Sequence, residues 1–198
     1  MNLTRSKKKD LLYVAVAAFF FLTACVLQTV DDYISDWSVK KTIALLTQYI
    51  FFGLLAYWTA SVISRISDKS ICSGIIVAIA LMGGILFVRL LKYHVFYDGT
   101  VMRYLWYSYY IPHCLAPAVL LFTLLGMGRK DRKPLAKSWY LLFLPAAALI
   151  LLVFTNDLHE QVFSFAKGLK YSNEIYKWEW GYYFILSWIA VLYLSIGV

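Results

Sequence analysis

Charge is what this sequence has least of. Only 15% of its 198 residues are Asp, Glu, Lys or Arg, whereas 62% are hydrophobic; a soluble domain carries about 25% charged residues. The charges fall in clumps. Between them run uncharged apolar stretches that reach the roughly 20 residues needed to cross a bilayer. A soluble globular domain is thereby excluded. Strands of about 10 residues alternating polar and apolar, the mark of a transmembrane barrel, are also missing. The fold class expected is all-α, a polytopic integral membrane helical bundle with six predicted transmembrane helices.

Cysteine is scarce, with Cys25, Cys72 and Cys114 alone, and no CxxC spacing occurs. An odd number inside or beside apolar spans reads as small packing residues, not a disulfide framework or metal site. Histidine is equally rare: His94, His113 and His159. The chain has no GxSxG, phosphate loop, HExxH or aspartate pair on one face, so neither catalysis nor a cofactor is expected. No acidic residue lies deep in a span, which speaks against proton-coupled transport.

The charge that is present is lopsided, at +8 overall. Nucleic acid is not the expected partner; the lipid bilayer is, because Lys and Arg collect on cytoplasmic loops of membrane proteins. A basic head, residues 1–10, holds Arg5, Lys7, Lys8 and Lys9. Spans follow at about 11–30, 42–64, 71–96, 101–126, 138–155 and 180–198, forming a single transmembrane domain over 11–198. With the N-terminus inside, the inner segments hold eleven basic and three acidic residues, among them Arg65, Lys69, Arg129, Lys130, Arg132, Lys133 and Lys137; the outer side holds eight of each. The chain is therefore expected in a cell membrane, multi-pass, with both ends cytoplasmic. Trp37, Tyr97, Trp106, Trp178, Trp180 and Tyr182 gather at outer span ends as an aromatic belt. The last span stops at Val198 without a charged flank, as a piece of a longer chain would.

Against this background, residues 89–117 stand out. On the third span Arg89, Lys92, Tyr93 and Phe96 share a face, with Arg89 about 10 Å inside the span end. A charge at that depth pairs, snorkels or lines a polar cavity; Lys92 reads as snorkelling and Arg89 as the more informative. Gly83 and Gly84 allow close helix approach nearby. On the fourth span Arg103, Trp106, Tyr107, Tyr110, His113, Cys114 and Pro117 recur at steps of three and four, so they share one face. That face is either a packing surface or a cavity wall. Pro112 and Pro117 each remove a backbone donor and bend the helix, and Pro145 does the same in the fifth span.

The fifth span runs into an outer loop, 156–179. There Asn156 or Asp157 is expected to cap a surface helix with Leu158, Val162 and Phe165 as its apolar stripe. Asp157 or Glu160 is expected to neutralise Arg89 or Arg103.

Arg103-Tyr104-Leu105-Trp106-Tyr107-Ser108-Tyr109-Tyr110-Ile111-Pro112, then Leu144-Pro145 before an apolar run, then the segment from Leu152 through Thr155-Asn156-Asp157-Leu158-His159 to Phe163, then Trp180-Gly181-Tyr182-Tyr183, together resemble the N-terminal seven-transmembrane sensor region of bacterial histidine kinases. The resemblance covers residues 71–198. It implies a signal-input module with a site facing outward or embedded in the membrane, a cytoplasmic kinase or regulator as output partner, and Asn156, His159, Trp106, Tyr107, Tyr110 and Pro112 as the matching positions. The chain departs from the family in showing six spans and no phosphoacceptor or ATP-binding domain, so it is not itself a kinase. The candidate ligand-binding residues are Arg89, Lys92, Arg103, Trp106, Tyr107, Tyr110, Asn156, Asp157 and His159. Their cations and aromatics suit an anionic or amphipathic ligand from the outer side, and a homodimer is compatible with such a module. The alternatives are a small transporter or channel, or a membrane scaffold subunit.

Overall fold

Long uncharged runs of Leu, Ile, Val, Phe and Ala have only one way to satisfy their backbone in lipid, which is to coil. The computed structural model describes residues 3–31, 33–96, 98–127, 135–165 and 176–197, with the backbone alone for 3–12 and 31. The basic cluster 129–133 and Tyr97 lie outside the described residues. The helices are α1 (Leu3–Asp31), α2 (Trp37–Arg65), α3 (Lys69–His94), α4 (Gly99–Ser108), α5 (Tyr110–Met127), α6 (Phe143–Phe154), a one-turn α7 (Asn156–His159) and α8 (Trp180–Gly197), with a 3-10 segment over Lys137–Leu142 leading into α6. Strands β1 (Phe163–Phe165) and β2 (Tyr176–Trp178) pair antiparallel, with Phe163 opposite Trp178. Among the described residues, six helical stretches are long and apolar enough to span a membrane. The protein is an all-α, multi-pass membrane bundle.

The chain divides into two compact units, Met1–Ser61 and Val62–Val198. The first consists of α1 and most of α2. Asp36 starts α2 by accepting from the Ser38 and Val39 N–H groups at 2.8 and 3.2 Å, which satisfies two of the donors a helix start leaves open. The two helices meet through rings, Tyr13 with Tyr57 at 6.4 Å and Phe21 with Phe51 at 6.5 Å. Beside them lies an apolar cleft of about 450 Å³ flanked by Phe20, Tyr49 and Gly53.

In the second unit, α5 is the hub and packs on α3, α6 and α8. Asp68 caps α3 through Ser70 and Ile71, and Asp98 caps α4 through Thr100 and Val101. A close approach is found about two and a half turns of α3 away from the Gly83–Gly84 pair: a Cβ on Gly74 would collide with the Thr123 side chain, whereas one on Gly84 would meet open space. Leu151 is 65% exposed and Leu194 71%. Such surfaces would be costly in water and are ordinary against acyl chains.

The prolines act differently from one another. Pro112 offers no N–H to the Ser108 carbonyl, and the fourth span is interrupted at Tyr109, giving α4 and α5 where one kinked helix was expected. Pro117 sits inside α5. Pro145 falls in the first turn of α6, where a missing donor costs nothing; the change of geometry there is from 3-10 to α, not a kink within an α-helix.

Candidate functional site

The site lies at the end of the second unit that carries β1 and β2, and it begins from a charge on a span. Arg103, one turn into α4, places Nη2 2.7 Å from Asp157 Oδ2, with the two side chains 15% and 21% exposed. Of the four pairings expected, this is the one that forms; Glu160 is exposed. Charge-assisted contacts of this length are the strong class of hydrogen bond. The other carboxylate oxygen accepts from the Tyr107 hydroxyl at 2.8 Å. Tyr107 is fully buried, one helical turn beyond Arg103 on the same face.

The Tyr107 oxygen in turn accepts from Asn156 Nδ2 at 3.2 Å. Asn156 is also fully buried. Its Nδ2 donates again to the Phe163 carbonyl at 2.8 Å, and its Oδ1 accepts from the N–H groups of Val162 and Phe163 at 2.9 and 3.0 Å. Both amide hydrogens and the carbonyl oxygen are thus engaged. Asn156 does not cap α7; the N-cap is Thr155, with no side-chain capping bond. The amide instead supplies partners to buried backbone that would otherwise have none.

The surface helix expected over 156–165 is corrected by the same geometry. Helix α7 lasts one turn because Glu160 turns into the left-handed region at φ 51°, a conformation that disfavours side chains with a Cβ. The chain then doubles back past Asn156 into β1. Leu158, expected on the apolar stripe, is 85% exposed, whereas Val162 and Phe163 are fully buried. The imidazole of His159 closes the turn. Its Nδ1 accepts from the Gln161 N–H at 3.0 Å and its Nε2 lies 3.1 Å from Thr155 Oγ1. A proton on Nε2 satisfies both contacts.

Three residues that sequence reasoning missed complete the frame. The Glu179 N–H donates to the Val162 carbonyl at 3.0 Å, and Glu179 Oε1 accepts from the Ser164 hydroxyl at 2.7 Å. The Gly181 N–H donates to the Gln161 carbonyl at 2.9 Å, and a Cβ on Gly181 would stand 2.8 Å from that oxygen, so only glycine fits. The Trp188 indole donates to the Cys114 carbonyl at 3.2 Å, beside the turn that Pro117 weakens. The signal available in the sequence was the polar triplet Thr155-Asn156-Asp157 directly after an apolar span, where every polar group needs a partner.

The aromatic face of α4 and α5 serves both purposes proposed for it. Tyr107, Cys114 and Phe163 join the core cluster. Trp106 packs on Phe163 with ring centroids 4.5 Å apart and on Tyr176 at 5.0 Å. Trp106, Tyr110 and His113 also line a cavity of about 360 Å³ closed on its other side by α8.

The α3 candidates stand differently. Arg89 is exposed and Lys92 is the buried one, at 2%, reversing the order of interest expected. Lys92 Nζ lies 4.9 Å from the centroid of the Tyr93 ring. The structure therefore gathers Arg103, Trp106, Tyr107, Tyr110, Asn156, Asp157 and His159 into one region, while Arg89 and Lys92 belong to α3. Among the described residues, no group of three or more His, Cys, Asp or Glu is placed to hold a metal ion.

Comparison with protein-family models, with curated proteins and with solved structures finds no match to this chain.

Proposed function

We propose that the chain is a membrane-embedded signal-input module of the histidine-kinase type, without catalytic activity of its own, acting on a cytoplasmic kinase or regulator. It sits in the cell membrane with its N-terminus cytoplasmic, so that β1 and β2 face outward. The observation that carries this reading is the place of the Thr155–Phe163 segment. The residues that carry the sequence resemblance are the ones that clasp α4, through Asp157 on Arg103 and Asn156 on Tyr107. The span so held continues through the break at Tyr109 into α5, whose packing on α3, α6 and α8 lets a shift at one end reach the other. The distribution of basic residues supports the orientation.

A signal-input module predicts that releasing the clasp is felt at the far end of α5. Met127, half exposed there, is replaced by Cys and spin-labelled in a background with Cys25 and Cys72 changed to Ser, in lipid nanodiscs. Asp157→Ala is expected to change the mobility or the inter-label distance read at that site. An unchanged spectrum in a folded variant removes the sensor reading and leaves a static scaffold.

A further inference from the structure

The Arg103–Asp157 pair answers its own charges, so the place for a ligand is the neighbouring cavity between α4–α5 and α8. Its lining is of two kinds. Trp106, Tyr110 and Tyr182 present aromatic rings, with His113 among them, and Ile189 on α8 supplies an aliphatic wall. Its volume of about 360 Å³ falls within the range of small-molecule sites, which are mostly apolar with a few placed polar groups. Both walls belong to candidate membrane spans, and Trp106 and Tyr182 bring the cavity near the ends of those spans that carry β1 and β2.

His113 gives the cavity its chemical direction. The His113 Nδ1 contacts the Tyr109 carbonyl of its own helix. A carbonyl can only accept, so Nδ1 carries the hydrogen and, in the neutral ring, Nε2 is left as an acceptor. The ring is exposed from the protein, and it lines the cavity. An acceptor nitrogen set among flat rings selects a ligand that brings a hydrogen-bond donor on an aromatic head, and the isoleucine wall takes an aliphatic tail. Aromatic rings prefer offset or edge-on partners at the spacings these walls allow.

We propose that this cavity binds a membrane-soluble amphiphile with a hydroxylated aromatic head, its hydroxyl donating to His113 Nε2 and its tail running along α8. The inference deepens the signal-input reading and rests on it for the consequence of binding, not for binding itself.

The test uses the full chain in nanodiscs and three probes of similar lipid partitioning: para-heptylphenol, its methyl ether, and a straight-chain alcohol of matching length. Native mass spectrometry counts the bound equivalents. One saturable equivalent of the phenol is expected, with affinity lowered about ten-fold for the ether, which has lost its donor. His113→Phe should weaken the phenol by a similar factor and leave the ether unchanged. Ile189→Trp, which fills the cavity from the aliphatic side, should abolish binding while the Arg103–Asp157 contact stays intact. Equal binding of phenol and ether, or indifference to both substitutions, overturns the assignment of His113 and the cavity. An alcohol that binds as tightly as the phenol overturns the aromatic head. The phenol bound as expected while a Met127→Cys label ignores Asp157→Ala would leave this inference standing and remove the sensor reading; a label that responds to Asp157→Ala while no probe binds would do the reverse.

Discussion

The two units hold themselves together by different means. In Val62–Val198, a polar chain from Arg103 through Asp157, Tyr107 and Asn156 to the β1 backbone fixes where an irregular segment lies against a helix. In Met1–Ser61, α1 and α2 meet through rings and leave an apolar cleft of about 450 Å³ beside them. Directional bonds allow one arrangement, whereas contacts among apolar side chains in lipid can be exchanged for equally apolar lipid contacts. The comparison teaches that the irregular segment of the second unit is specified by directional bonds.

The largest break in that contrast comes at Asn156. Asn156→Ala strips partners from the Val162 and Phe163 N–H groups and the Phe163 carbonyl at once, all of them buried. At about 1–3 kcal/mol for a buried group left without a partner, a loss of at least about 3 kcal/mol is expected, read by steric-trap unfolding in bicelles. A loss under 1 kcal/mol would mean that the β1 segment is not held by this amide. The ion pair comes next. A double-mutant cycle of Arg103→Ala and Asp157→Ala should give a coupling of about 2 kcal/mol, below the 3–5 kcal/mol cost of breaking a fully buried pair because both side chains keep some exposure. Additive effects would show the pair to be incidental.

The smallest effect sharpens the comparison instead of breaking it. Gly74→Val must displace Thr123 and should cost about 1–3 kcal/mol, relieved by Thr123→Ala. Gly53→Val in the first unit meets nothing within 4 Å and should shift the same unfolding midpoint little. Equal costs at the two glycines would erase the distinction between the units.

Much of the architecture was legible because lipid imposes a single rule. Apolar runs of sufficient length must be helices, and the six spans follow with ends within a few residues of those expected. Pro112 was legible for the same reason, since a missing donor breaks a ladder wherever it falls. The Arg103–Asp157 pair could be narrowed to four candidates by charge alone, but which carboxylate reaches which cation depends on the rotation of α4 about its axis. The orientation of α3 decides in the same way that Lys92 is buried and Arg89 exposed, although both sit on one face of α3 by spacing.

The irregular segment was misread because Asn and Asp after a span resemble helix caps, and the local rule was overridden by a tertiary contact with Val162 and Phe163. Strands of three residues are too short to show a period. The phenolic bridge of Tyr107 left no local trace at all, because its partners are about fifty positions away in the chain.

That separation has a consequence for how the protein is made. Chains emerge from the ribosome N-terminus first at about 5–20 residues per second, so Tyr107 and Arg103 precede Asp157 by several seconds; Tyr107 and Asp157 stand 50 residues apart. During that interval the fourth span, with a mean hydropathy of 1.6 against 2.6 for the third, carries a guanidinium whose carboxylate has not yet been synthesised. The Arg103–Asp157 contact therefore cannot form until the fifth span, which precedes Asp157 in the chain, has been made.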